Sequence, residues 1–143
     1  MNLTWSSTDT AVDWEELCEL YRIAPLGNKP PGDLRIVFGN SMYKRFVYHD
    51  GKLVGAGRGL ADGLDCCYLA DIAVHPKYQG TGLGKQIIAQ LLEDARHYRK
   101  IILYAVPGKE PFYKRFGFRR MLTAMAIFQN QVDAAQRGQV ESE

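Results

Sequence analysis

Apolar positions recur along the chain at two periods, and the change from one to the other marks out the elements. Trp14, Leu17, Cys18 and Tyr21 share one face at helical spacing. Asp13, with Glu16 three residues on, has the form of a capping box, and Val12 with Leu17 can staple it, so a helix is expected to begin here. The breakers of "PLGNKPPGD", Pro25 to Asp33, end it. Leu34 to Phe38 is expected as a second short helix and Tyr43 to Tyr48 as a strand. The dipeptide Asp50-Gly51 predicts a hairpin turn into a further strand, "KLVGAGRGL". After a second Asp-Gly pair, Asp62-Gly63, comes "CCYLADIAV", a mostly apolar run stopped by Pro76, as in a strand buried on both faces.

Past a cluster of glycines, Ile87, Ile88, Leu91, Leu92 and Ala95 form one apolar stripe of an amphipathic helix. "KIILYAV", Lys100 to Val106, predicts another buried strand. Strand, glycine turn, helix and strand make a βαβ unit, so these two strands should run parallel. Pro111 can open a short helix that Gly117 closes. Met121 to Asn130 is expected as a final strand, and the polar tail, residues 131–143, as loose. With no internal repeat or linker, residues 1–130 are expected to form a single domain.

Composition narrows the class. At 143 residues the chain can bury a continuous core without disulfides or metals, and 46% apolar with 24% charged residues is ordinary globular usage. A formal charge of +2 gives no overall basic field, so no nucleic-acid partner is expected. The start, "MNLTWSSTDT", has no basic and apolar pattern of a secretory signal, and no run nears the roughly 20 apolar residues that cross a bilayer. The reading is a soluble, cytoplasmic protein without a membrane partner, a monomer or a homodimer. Cys18, Cys66 and Cys67 lack metal-ligand spacing, and adjacent Cys66 and Cys67 would point to opposite faces of a strand.

The chemistry concentrates in "YQGTGLGK", Tyr78 to Lys85. A Walker A loop needs a hydroxyl residue after Gly-Lys, but Gln86 follows Lys85, and Gln79 stands at its first glycine position. The dinucleotide fingerprint also fails, because Lys85 or Ile87 stands where its third glycine belongs. What remains is Gln79-x-x-Gly82-x-Gly84 between a buried strand and a helix N-terminus. Glycines let a phosphate approach the backbone, and the free N–H groups of the first helical turn supply donors and a positive dipole end. Lys85 adds a charge. The pattern is a pyrophosphate cradle without a catalytic metal; a glycine-rich tight turn is the alternative.

This pattern resembles the acetyl-CoA signature of the GCN5-related N-acetyltransferases, the GNAT family. "LADIAVHPKYQGTGLGKQII" looks like that family's fourth strand, pyrophosphate loop and third helix, and "PFYKRFGF" is similar to its later Phe-Tyr-x-x-x-Gly-Phe motif. The resemblance covers Tyr43 to Phe118 and implies an α/β (α+β) fold: a mixed, mostly antiparallel central sheet with a parallel βαβ core and helices on both faces. It implies acetyl-CoA as cosubstrate and no metal. Ile72, Ala73 and Val74 would pair with the pantetheine arm, and Gln79, Gly80, Thr81, Gly82, Leu83, Gly84 and Lys85 would hold the pyrophosphate. Tyr113 matches the family's usual proton donor; a packed aromatic beside Phe112 and Phe116 is the other reading.

The general base is less defined, because Tyr68 and Ala70 stand where some relatives carry a glutamate. Asp71 is the only carboxylate in its strand, so it could hold the acceptor's ammonium or remove its proton through water; pairing with Arg58 is the structural alternative. His75, just before Pro76, reads as the strand end. Trp14, Tyr21 and Tyr68 are candidate substrate contacts, with Glu15, Glu16 and Glu19 on the first helix either lining the acceptor site or forming a solvated face. The implied acceptor is a small primary amine, an arylalkylamine or polyamine. Acetylation of a protein lysine or N-terminus, and a non-catalytic acyl-CoA-binding sensor, are the alternatives.

Overall fold

The computed structural model describes residues 2–142 and divides into two compact units between Leu103 and Tyr104. In the first unit the strands follow the chain order across one five-stranded sheet: β1 (Leu3–Ser6), β2 (Tyr43–His49), β3 (Lys52–Ala61), β4 (Cys66–Val74) and β5 (Lys100–Ile102). All neighbours are antiparallel except β4 and β5, which are parallel as the βαβ reading requires. Helices α1 (Trp14–Ile23) and α2 (Pro31–Gly39) lie between β1 and β2, and α3 (Leu83–Ala95) joins β4 to β5.

The local signals act as their chemistry dictates. The Asp13 carboxylate accepts from the N–H groups of Glu15 and Glu16 and caps α1. Glu16 does not complete a capping box; its Oε2 accepts from the Leu53 N–H at 3.0 Å instead. Asp50 and Gly51 have φ of 50° and 79°, the left-handed pair that a two-residue hairpin needs. At the second turn, Asp62 Oδ1 accepts from the N–H groups of Leu64, Asp65 and Cys66, which holds its carboxyl below the usual range.

The sheet is covered on both faces. Leu17, Leu20 and Tyr21 of α1 and Leu34 and Phe38 of α2 bury against Phe46, Leu53, Ala56 and Ala73. Leu53 and Ala56 differ in parity yet share that face, because the register slips: Val47 pairs with Gly55 but Tyr48 with Leu53. On the opposite face α3 lies close over β3. A Cβ at Gly55 would stand 2.8 Å from Ile87 Cδ1, and one at Gly57 would stand 2.7 Å from Ile72 Cδ1 and 3.1 Å from Leu91 Cδ1. The glycines of "GAGRG" therefore set the distance of the helix from the sheet.

Three expectations change. Only Lys100–Ile102 pairs as β5, opposite Cys66, Cys67 and Tyr68, so the strand stops well short of Val106. The final strand expected over Met121 to Asn130 does not form: residues 121–130 are irregular, with Leu122, Met125 and Ile127 at least 85% exposed. An apolar run becomes a strand only where a neighbour offers a ladder. The second unit instead holds two short helices, α4 (Glu110–Lys114) and α5 (Gln131–Gln136); the latter lies in the tail expected to be loose and is capped by Asn130 Oδ1 on the Asp133 N–H. Strand β1 is too short to be read from pattern alone.

The glycine seam under α3 is testable. Gly57→Val should lower stability by about 1–3 kcal/mol, the usual penalty of overpacking, measured as a shifted urea midpoint with an unchanged slope.

Candidate functional site

The site forms where β4 loses β5. The parallel register ends at Tyr68 with Ile102, and no pair joins β4 to β5 beyond it among the described residues. Leu69 to Val74 thus keep β3 on one side and, among the described residues, have no ladder partner on the other, where an added chain could pair. Within this stretch Ala56 pairs with Ala73 and Arg58 with Ala70, so Asp71 and Ile72 together oppose the single residue Gly57. This is a β-bulge, and Asp71 sits in it at φ 55°. Cys67 and Leu69 come close to Gly59, on the α3 side of β3, and strict alternation would send Asp71 the same way. The bulge carries its carboxylate across to the α1 side.

There Asp71 is held from three directions. Its carbonyl accepts from the Tyr21 hydroxyl at 2.6 Å, its Oδ2 from Arg58 Nε at 2.7 Å, and its Oδ1 pairs with Lys29 Nζ at 3.4 Å. Arg58 Nη1 also donates to Ser41 Oγ at 3.2 Å, which in turn donates to the Val37 carbonyl. Lys29 Nζ stands 5.8 Å from the centre of the Tyr21 ring. Burial, then the charge of Asp71, pushes the Tyr21 phenol well above its usual value, so it serves as a fixed donor.

Beyond Val74 the chain turns through Pro76–Tyr78, a single 3-10 turn, where His75 Nδ1 accepts from the Lys77 N–H. Gly80 and Gly82 then take φ of 83° and 89°, and Gly82 is the N-cap of α3 with no side chain closing it. The first helical bond runs from the Gln86 N–H to the Gly82 carbonyl, so the preceding N–H groups point out of the helix end. A Cβ at either glycine meets nothing within 4 Å: positive φ and open space, rather than packing, call for glycine here. Gln79 is exposed but tied to the fold, with Nε2 donating to the Val74 carbonyl at 3.2 Å and to the Ala24 carbonyl at 3.5 Å. The Thr81 hydroxyl donates to the Tyr78 carbonyl at 2.5 Å, and Leu83 is buried. Gly84 and Lys85 lie in the first turn of α3, whose N-terminal N–H groups have no side-chain cap and could accept an anion.

The first unit therefore brings together Ile72, Ala73, Val74, the Gln79 to Lys85 loop and Asp71. Tyr21 is fully buried and engaged with the bulge. Trp14 is half-buried on the core, its ring 6.4 Å from that of Phe38. Tyr68 is half-buried on β4, opposite Leu60. Of the α1 carboxylates, Glu16 is bonded to β3 and Glu19 accepts from Arg22 Nε at 2.8 Å. Tyr113 is on α4 in the second unit, edge-on to Phe112 at 5.1 Å and Phe118 at 6.1 Å, and burial raises its phenol. Among the described residues no three His, Cys, Asp or Glu side chains cluster as a metal site. Lys29 and His49, whose Nδ1 lies 2.5 Å from the Tyr78 hydroxyl, escaped the sequence reading; neither carries a motif, although Lys29 directly precedes Pro30-Pro31.

The bulge lock predicts that Tyr21→Phe, which keeps the ring and strands the Asp71 carbonyl, lowers stability by about 1–3 kcal/mol in denaturant titration.

Known proteins resemble this chain in sequence and in fold. The sequence model of the Acetyltransferase (GNAT) family matches residues 13–118. An uncharacterized N-acetyltransferase, ycf52, of Gracilaria tenuistipitata var. liui is 29% identical over 122 residues, 81% of this chain and 65% of that protein. Serotonin N-acetyltransferase 2, chloroplastic, of Oryza sativa subsp. japonica is 36% identical over 70 residues, 48% of this chain and 35% of that protein. The chain thus spans less than two thirds of the length of either relative. A crystal structure of a probable acetyltransferase from methicillin-resistant Staphylococcus aureus superposes with a TM-score of 0.81 at 21% identity, over 90% of this chain and 99% of that one.

Proposed function

The chain belongs to the acetyltransferase (GNAT) family, and on that premise we propose that it moves an acetyl group from acetyl-CoA to a small primary amine. The observation that carries the reading is the loop at Gly80 and Gly82, which opens onto the uncapped α3 N-terminus beside a stretch of β4 that, among the described residues, has no ladder partner on one side. That cradle fits a pyrophosphate followed by an extended arm. The N–H groups from Gly82 to Lys85 would hold the phosphates, and Ile72, Ala73 and Val74 the pantetheine. When bound, acetyl-CoA supplies an activated thioester. The family match runs across the junction of the two units, which supports reading residues 1–130 as one domain.

The residues divide the remaining work. An N–H of Ala73 or Val74 facing the thioester oxygen would favour the charge that grows there during attack. Tyr113 is assigned the proton for the departing thiolate. Its phenol is raised by burial and stays protonated through neutral pH, which suits a donor. Asp71, held between Arg58 and Lys29, orients the amine and the bulge together. Glu16 is bonded to β3 and Glu19 to Arg22 while Glu15 stays exposed, so α1 offers a polyamine a reduced acidic face. An arylalkylamine is the acceptor we favour; the rice relative is named a serotonin N-acetyltransferase, and serotonin is an amine of that chemical class.

Two experiments test this. Valine at Gly82 would be strained by about 1–2 kcal/mol at a left-handed φ and would fill the open space, so Gly82→Val should lose acetyl-CoA binding in calorimetry while remaining folded. Wild-type affinity in that variant would overturn the cradle. Tyr113→Phe should lower kcat by roughly 100-fold or more with acetyl-CoA affinity nearly unchanged, as read from CoA release with a panel of amines. A normal kcat with reduced thermal stability would make Tyr113 structural.

A further inference from the structure

We propose that Lys29 is an acetyl acceptor within the chain itself, modified in cis at its Nζ. The inference rests on Ile72 to Val74 being the thioester-holding stretch.

Three observations converge on this amine. Lys29 Nζ sits 3.4 Å from Asp71 Oδ1, and Asp71 is the residue immediately before that stretch. The amine is therefore separated from the backbone that leads into that stretch by one ion pair and one short carboxylate side chain. Its approach is fixed from both ends. Pro30 and Pro31 follow Lys29 and open α2, restricting its backbone to extended conformations, while Asp71 and the Tyr21 ring hold the ammonium end. Yet the side chain keeps 31% of its surface exposed, so it can leave the carboxylate and return. A primary amine on a carboxylate beside the thioester is the same chemical group in the same setting as the acceptor. Lys100 has a similar partner, Asp65, but at the closed end of the β4–β5 ladder.

The step balances without a further reactant. The Lys29 ammonium gives one proton to solvent, and the free Nζ forms a bond to the acetyl carbonyl carbon. The carbon–sulfur bond breaks, the thiolate takes the proton assigned to Tyr113 and leaves as CoA thiol, and the second nitrogen proton restores the phenol through solvent. The products are Nε-acetyl-lysine and CoA. Once acetylated, Lys29 carries no charge, and Asp71 Oδ1 is released for the ammonium of a free acceptor while Oδ2 stays with Arg58.

The test is to incubate the full chain with acetyl-CoA alone and map acetyl groups by peptide mass spectrometry over time, with acetyl-CoA binding measured in parallel by calorimetry. Lys29 should be labelled at least about tenfold faster than Lys52, Lys77 or Lys114, the advantage expected of a positioned amine. The rate per molecule should not change with protein concentration. Gly82→Val should reduce Lys29 labelling to the level of those lysines, and Lys29→Arg should remove it. Equal labelling of all lysines, or a rate that rises with protein concentration, would overturn the proposal. If acetyl-CoA binds and amines are turned over while Lys29 stays unmodified, this inference alone fails; if acetyl-CoA does not bind, the cradle reading fails with it.

Discussion

The bond from the Tyr21 hydroxyl to the Asp71 carbonyl holds the point on which the site depends. A non-glycine residue in the left-handed region carries a strain of about 1–2 kcal/mol, and it persists only where its surroundings secure it. Here Tyr21 fixes the carbonyl while Arg58 and Lys29 fix the carboxylate, so backbone and side chain are pinned separately. The result is a single irregular step in β4. It moves one carboxylate to the α1 face and returns Ile72 to the α3 face, where Gly57 leaves room for its methyl group. Core and site are thus shaped by the same step.

Glycine serves two unrelated ends within thirty residues. In β3 it is required by what surrounds it: Gly55 and Gly57 stand where any Cβ would strike Ile87 or Ile72. In the loop before α3 it is required by the backbone itself, since Gly80 and Gly82 have positive φ and empty surroundings. The first kind holds a helix close, and the second keeps a space open. Both lie at the two ends of the same structural unit, so the helix that the β3 glycines seat is the one whose N-terminus the loop glycines expose.

Features written in neighbouring residues were legible in the sequence, and those made by distant ones were not. Asp50-Gly51, the Asp13 cap, the Ile87 to Ala95 stripe and the glycine loop each contain their own cause within a few positions, and each forms as expected. The β4 bulge could not be read, because its determinants, Tyr21, Lys29, Arg58 and Asp71, are scattered over 51 residues of chain. The early end of β5 and the missing strand over 121–130 have the same origin: apolar runs announce burial or pairing, but the partner decides which residues obtain it. Glu16 illustrates the point in miniature. Its spacing from Asp13 spells a capping box, yet the Leu53 N–H beside the β3 irregularity claims its carboxylate.

The Gln79 side chain joins the end of α1, through the Ala24 carbonyl, to the end of β4, through the Val74 carbonyl, and it does so from inside the glycine loop. One amide therefore belongs at once to the end of α1, beside which the proposed acceptor would rest, and to the turn that would receive the phosphates. Linkage is reciprocal for binding free energies. Whatever tightening a bound pyrophosphate imposes on α1 through this amide, an amine resting against α1 imposes on the loop in equal measure. Two substrates joined in this way would become each other's effectors, and the order of their binding would alter the path to a ternary complex but leave its total free energy the same.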